Sequence, residues 1–432
     1  MPAGARRAGV ATCPALPTLE RQLRLLRHFA AVTYPFACVP FLFLYFQDHG
    51  LDDQGYGVVI GAYYAAMFLA ELPTGLLADR FGPKPMLVAG PLLLAAGFGL
   101  LLVWRTFAGF LAGEILLGLA HAVLSGPPSV LLYETLREHD ASGRYLVEEA
   151  RCGRNRLLGT GLSFLLGGAL TRLGNDTGTA YAWAIAATCI GNLAAAAIAM
   201  GLRPEPGRPA VPLRVFAAQL AHDLAKPPVR WLLGYWVVLF ALLRFPFHDY
   251  QPYLRAAASL EPWCADPLWV GGLFALLNLV AAPLSGKVPA LVALVGRRGL
   301  FWGMPLVLVA SLLVMAGERH AAALGAGSRG LVWLGLAMFF VQQVPFGLHM
   351  ALVQEFVNHR IGSRARTTVL SALSLGARLA YAGLNVLLFW VQDTEGMAVA
   401  FAGAAAGGLV LTCLVMWTRP KGLLRGAGEL PD

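Results

Sequence analysis

The chain has 432 residues, of which 57% are hydrophobic and 13% charged, with a formal net charge of +9 and a mean hydropathy of +0.63. A soluble domain carries about a quarter charged residues, so this composition excludes water as the main solvent. It also argues against a nucleic-acid-binding protein, because the Lys and Arg sit in short segments between apolar runs, where orientation in a membrane explains them.

Near the N-terminus, Arg6-Arg7 is followed by "AGVATCPALPTLERQ", which Pro and charge break too often for the apolar core of a secretory signal. The first apolar run is therefore expected to be a retained helix. A membrane helix needs about 20 mostly apolar residues at about 1.5 Å rise each. Windows of that kind fall at 28–48, 55–78, 85–104, 107–133, 155–172, 178–201, 231–252, 267–285, 299–316, 330–354, 366–391 and 395–417. They predict an all-α integral membrane protein of twelve transmembrane helices.

Orientation follows from the basic residues. With the N-terminus inside, only Arg105, Arg172, Arg255, Arg319 and Arg329 fall in outer loops, Arg244 and Arg378 fall inside spans, and every other Lys and Arg lies on the inner side. The positive-inside rule then places both termini in the cytoplasm. The longest break, residues 203–230, is Pro-rich at both ends and divides the spans six and six. The expected organisation is an N-terminal six-helix bundle over 1–202, a cytoplasmic central loop over 203–230 and a C-terminal six-helix bundle over 231–432. Two such bundles can rock about a site near the bilayer midplane.

The turn between the second and third spans reads "GLLADRFGPKP", residues 75–85. It resembles the signature of the major facilitator superfamily, G-x-x-x-D-R-x-G-[RK]-[RK], with Gly75, Asp79, Arg80, Gly82 and Lys84 matching. Pro83 replaces the first basic residue after the glycine. The equivalent turn in the second half keeps only Gly296-Arg297-Arg298. "ELPTGLLADR" and "RARTTVLSALSL" are similar to one bacterial branch, which implies a cytoplasmic (inner) membrane location. As plain loop charges Asp79, Arg80 and Lys84 would satisfy the positive-inside rule alone. The resemblance implies more: a cytoplasmic gate in which Asp79 latches onto the start of the eleventh helix, "GSRARTT", whose free N–H groups favour a carboxylate by about 0.3–1 kcal/mol.

An ionisable side chain at the bilayer centre costs about 2.5–3.5 kcal/mol on insertion scales, so such residues face a wet cavity or a partner. On the fourth span Glu114, Gly118, His121 and Ser125 share one face, ahead of a bend at Pro127-Pro128. The seventh offers Arg244, His248 and Gln251, with Asp249 just off the stripe. The tenth adds Gln342 and His349; the eleventh adds Ser371, Ser374, Arg378, Tyr381 and Asn385. The second span contributes Tyr64, Met67 and Glu71. The superfamily resemblance implies that these helices line or flank a substrate and proton cavity made by Glu71, Glu114, His121, Arg244, His248, Asp249, Gln342, His349, Arg378, Tyr381 and Asn385.

Each has a plainer reading as well. Gln342 and Asn385 suit interhelical hydrogen bonding, His121 suits packing, and Glu71 suits an ion pair with an arginine across the bundle interface. Glu114 stands four residues before Gly118, where many proton-linked relatives have the arginine of R-x-x-x-G. A carboxylate there can carry a proton, and trade contacts with Arg244 and Arg378. Gly159, Gly167 and Gly168 follow the antiporter signature G-x-x-x-G-P-x-x-G-G, with Ser163-Phe164 in place of its Gly-Pro.

No nucleotide-binding G-x-x-x-x-G-K-[ST] motif is present, nor H-E-x-x-H or G-x-S-x-G. The six cysteines show no ligand-type spacing. The expected protein is not an enzyme and needs no cofactor or metal. It is a monomeric secondary transporter in the lipid bilayer, with a small-molecule substrate, protons as coupling ion and no nucleic-acid partner. Efflux of an amphipathic compound fits the aromatic, weakly polar first and second spans; uptake of an organic anion fits Arg244 and Arg378; a receptor or assembly factor that kept the fold is the third reading.

Overall fold

The computed structural model describes residues 16–33, 36–174, 176–204, 215, 218, 221–222, 224–360 and 366–424. Among these residues there is no β-strand, and the helices form two six-helix bundles. Ten helices are long and apolar enough to cross a bilayer. They make up spans 2, 3, 4 and 6 of the first half (Asp53–Phe81, Pro83–Val103, Phe107–Glu138, Thr179–Met200) and all six of the second (Pro227–Ala257, Pro267–Leu284, Val288–Ala323, Arg329–Gln354, Ala372–Glu395, Met397–Trp417).

Spans 1 and 5 complete the twelve. Span 1 is a helix over Leu16–Val32, a 3₁₀ turn over Val39–Phe41 and a short helix over Leu42–Asp48. It starts well before the predicted residue 28. Leu19, Leu23 and Leu26 bury one face, while Arg21, Arg24 and Arg27 depress the average hydropathy of the same stretch. Span 5 is Tyr145–Leu170. Its charged first turns lie ahead of the apolar part, where Glu148 is bonded by Arg27, Arg144 and Arg151 at 2.6, 3.3 and 2.8 Å. That cluster ties span 1 to the turn between spans 4 and 5.

Prolines set several boundaries. Span 4 ends its first helix at Leu124 and resumes as Pro127–Glu138, because Pro fits the first helical turn, where no N–H bond is lost. Pro227-Pro228 start span 7 in the same way, four residues inside the loop expected over 203–230. The sequence between those Pro-rich ends also predicts a short amphipathic helix, which falls largely outside the described residues.

The segment between spans 8 and 9 is helical where a loop was expected. A 3₁₀ turn over Ala282–Lys287 leads into Val288–Ala323, interrupted at Gly296 with φ 71° and ψ 163°. Gly82, between spans 2 and 3, has φ 80° and ψ 169°. Only glycine takes that backbone without strain, so the two halves make the same turn at the same place.

The bundles meet closely on two seams. A Cβ on Gly61 would lie 2.9 Å from the Ala382 carbonyl oxygen, where span 2 crosses span 11; one on Gly271 would lie 2.5 Å from the Phe164 carbonyl oxygen, where span 8 crosses span 5. Outward, Val103, Leu294 and Trp417 are 86%, 79% and 89% exposed. Apolar exposure spread over the whole periphery fits lipid and not water.

Candidate functional site

Two ends of the bundle pair differ. At the end that carries the turns after spans 1, 5, 7 and 11, polar side chains join the halves. The Gln251 amide nitrogen donates to the Val39 carbonyl at 2.7 Å, and its oxygen accepts from the Phe43 N–H at 2.9 Å. Both backbone groups belong to the break in span 1, and a helix break in a membrane must find such partners. Gln392 donates to Asp53 at 3.0 Å, Asn385 to the Gly57 carbonyl at 2.9 Å, and Arg172 to Asp266 at 2.7 Å. Arg255 donates to Gln47. Deeper in, the two ring nitrogens of His248 lie 3.4 Å from the Tyr56 hydroxyl and 3.2 Å from that of Tyr64, and the ring stacks on Tyr381. This end is closed.

At the opposite end, beside the 4–5 turn, a cavity of about 380 Å³ enters the N-terminal half. Leu26, Phe29, Phe36, Met67, Leu124 and Leu132 make its apolar wall. Thr33, His121, Ser125, Ser129, Glu149, Arg156 and Arg378 make its polar lining. His121 bonds the Leu117 carbonyl through Nδ1 at 2.9 Å and stacks on Phe36. Arg378 bonds Glu71 through Nη1 at 2.5 Å, and Ser125 donates to the other Glu71 oxygen at 3.2 Å. Spans 2, 4 and 11 thus meet in one polar knot beside the cavity.

Of the residues expected in a cavity, His121 and Arg378 line it, and Glu71 stands directly behind Arg378. Glu71 takes the ion pair across the bundle interface that was one reading of it. Glu114 is buried, with Oε1 unbonded among the described residues, and there no ion pair joins it to Arg244 or Arg378. Its face of span 4 packs on span 2, where a Cβ on Gly118 would lie 2.4 Å from the Tyr63 carbonyl oxygen. Arg244 lies over the Phe240 and Phe247 rings, 5.3 and 5.9 Å from their centroids. His248, Tyr381 and Asn385 belong to the closed seam. Asp249 is fully buried there, and neither of its carboxyl oxygens is hydrogen-bonded.

Gln342 and His349 are held inside the second bundle. Gln342 donates to Ser311 at 2.9 Å and accepts from Tyr250 at 2.8 Å; His349 bonds the Phe346 carbonyl and stacks on Trp236. Glu149 and Arg156 were not singled out in the sequence: Glu149 precedes the window 155–172, and Arg156, at its very edge, counted among the inner-side charges. Once span 5 starts at Tyr145, the spacing of Glu149, Cys152 and Arg156 puts all three on one face.

The turn with Gly75, Asp79, Arg80, Gly82 and Lys84 lies at the open end. Asp79 is exposed and, among the described residues, makes no hydrogen bond or ion pair. Its expected partner, the start of span 11, falls largely outside the described residues.

On the closed end, Glu261 accepts from Arg329 at 2.7 Å and from the Trp333 indole at 3.1 Å. The Arg329 guanidinium holds this loop carboxyl below the usual carboxylate range.

A family model described as Major Facilitator Superfamily matches residues 28–384. An MFS-type transporter of Aspergillus fumigatus is 29% identical over 99 residues, 22% of this chain and 23% of that one. The inner membrane transport protein YajR of Escherichia coli is 31% identical over 91 residues, 21% of this chain and 20% of that one. The chain thus spans about a fifth of the length of the curated relatives it matches. The solved nucleoside transporter NupG, as its D323A mutant, superposes with a TM-score of 0.76 at 12% identity, covering 93% of this chain and 99% of that one. At that identity the likeness is one of fold.

Proposed function

The chain belongs to the major facilitator superfamily, and on that footing we propose that it is a secondary transporter moving an amphipathic small molecule by alternating access, with export as the direction and protons as the coupling ion. One observation carries the reading: a cavity of about 380 Å³ walled by apolar side chains and lined also by Arg378, whose pair with Glu71 joins the bundles. About 380 Å³ is within the range of small-molecule sites. The far end is shut by hydrogen bonds between rigid bundles, so rocking that breaks Gln251, Asn385 and Gln392 contacts would open it while closing the other.

By the positive-inside rule the open end faces the cytoplasm, and the Gly75–Lys84 turn lies there, free to latch when that end closes. Buried Glu114 and Asp249 support proton coupling, since Glu114 Oε1 and both Asp249 carboxyl oxygens lack hydrogen-bond partners among the described residues, and ionisable groups inside spans mark proton or substrate pathways. The apolar walls formed by spans 1 and 2 support an amphipathic cargo and export.

Flux in proteoliposomes tests the reading. With a pH gradient imposed, amphipathic compounds should move against their own gradient, and dissipating the pH gradient should stop them. Binding without flux across the whole panel would replace the transporter by a receptor.

A further inference from the structure

The end of the cavity at Arg378 carries a chemical preference. Arg378 lines the cavity, while Glu71, which holds it, does not. Both Glu71 oxygens are engaged, one by Ser125 and one by Arg378. Of the five N–H donors on the guanidinium, one is used: among the described residues Arg378 has no hydrogen-bond partner besides Glu71. A ligand that reaches this end meets unspent donors in a fixed fork, with its carboxylate counter-ion behind. Such a fork matches a carboxylate bidentately.

Charge balance points the same way. Arg244, the other guanidinium inside a predicted span, rests on phenyl rings and has no acidic partner among the described residues. Of these two cations only Arg378 has a carboxylate partner, Glu71. On the cavity lining, Arg156 is exposed and has no ion-pair partner among the described residues, whereas Glu149 already accepts from Ser129 at 3.1 Å.

Resting on the transport reading above, we propose that the cargo is an amphipathic carboxylate, its acid group held by Arg378 and its apolar body by Phe29, Phe36, Met67 and Leu124. Glu71 and Ser125 position the guanidinium. Exposed Arg156 attracts the anion, and Arg378 receives it beside an apolar wall, where screening is weak and a charge-assisted pair is strongest.

The test uses the full chain in nanodiscs and three probes with one apolar body: 1-naphthylacetate, 1-naphthylacetamide and 1-naphthylmethylamine, with binding measured by equilibrium dialysis. The acetate should bind at least tenfold more tightly than the amide, and the amine most weakly. Arg378→Lys should keep a reduced preference. The double variant Glu71→Gln/Arg378→Gln removes both charges together, so no buried charge is stranded; it should erase the preference, so that acetate and amide bind equally. Equal binding of acetate and amide, or a preference that survives the double variant, overturns the carboxylate assignment while the transport reading stands. Binding of none of the three to folded protein would instead remove the amphipathic cavity itself, and this assignment with it.

Discussion

The side-chain amide of Gln251, on span 7, bonds the Val39 carbonyl and the Phe43 N–H on either side of the 3₁₀ turn in span 1. One side chain of the second bundle thereby satisfies two backbone groups of a broken helix in the first. Gln251→Leu should leave both groups unpaired in the closed seam, at about 1–3 kcal/mol each. The population should shift towards the state open at that end, where water reaches them. Spin labels at Asp48 and Ser259, both exposed there, should report longer distances in the variant; an unchanged distance distribution would show that the clamp does not set the equilibrium.

Span 5 packs on span 1 through glycines. A Cβ on Gly159 would lie 1.9 Å from the Ala31 carbonyl oxygen, and one on Gly161 would meet nothing within 4 Å. Gly159→Ala should therefore destabilise by about 1–3 kcal/mol, the usual cost of overpacking, and Gly161→Ala should be neutral. Thermal unfolding in detergent compares them, and equal melting temperatures would refute the close approach.

Glu261 titrates below the usual carboxylate range because Arg329 bonds it. A depressed folded-state pKa gives stability that is present above the unfolded value of about 4.3 and lost as pH falls through the folded value. Glu261→Gln should thus melt earlier than the parent at pH 7, with the gap closing below about pH 4. A gap independent of pH would mean that packing of Trp333, and not the ion pair, is responsible.

Among the described residues Asp79 has no partner at the open end of the molecule. If it latches span 11 when that end closes, Asp79→Asn should preserve ligand affinity and slow flux by about tenfold, which corresponds to about 1.4 kcal/mol. Parallel binding and flux measurements decide the matter: intact flux would return Asp79 to the status of a loop charge.

Glu114 is buried without a partner for Oε1. Glu114→Gln retains the shape and removes the titration, so flux measured from about pH 5 to 8.5, a range that brackets shifted carboxyl and histidine groups, should lose its pH dependence. Retention of the parent profile would exclude Glu114 as the proton carrier and leave Asp249 as the next buried acid to replace.

By itself the sequence determined the solvent, the twelve helices and the family resemblance. Hydropathy, proline placement and the Gly75–Lys84 turn are local properties, and each survives folding unchanged. It also determined that Glu71, Glu114, Arg244 and Arg378 needed partners in the membrane. Which partner each received was decided by tertiary structure. Arg378 found Glu71 across 307 residues of chain, Gln251 found Val39 across 212, and Glu114 found no partner for Oε1. A helical period shows which residues share a face, but only packing of one bundle on the other fixes the direction in which that face points. For the same reason Arg156 counts in the sequence as an inner-side charge at the edge of a window, and only the packing of span 5, which begins at Tyr145, places it on the cavity lining.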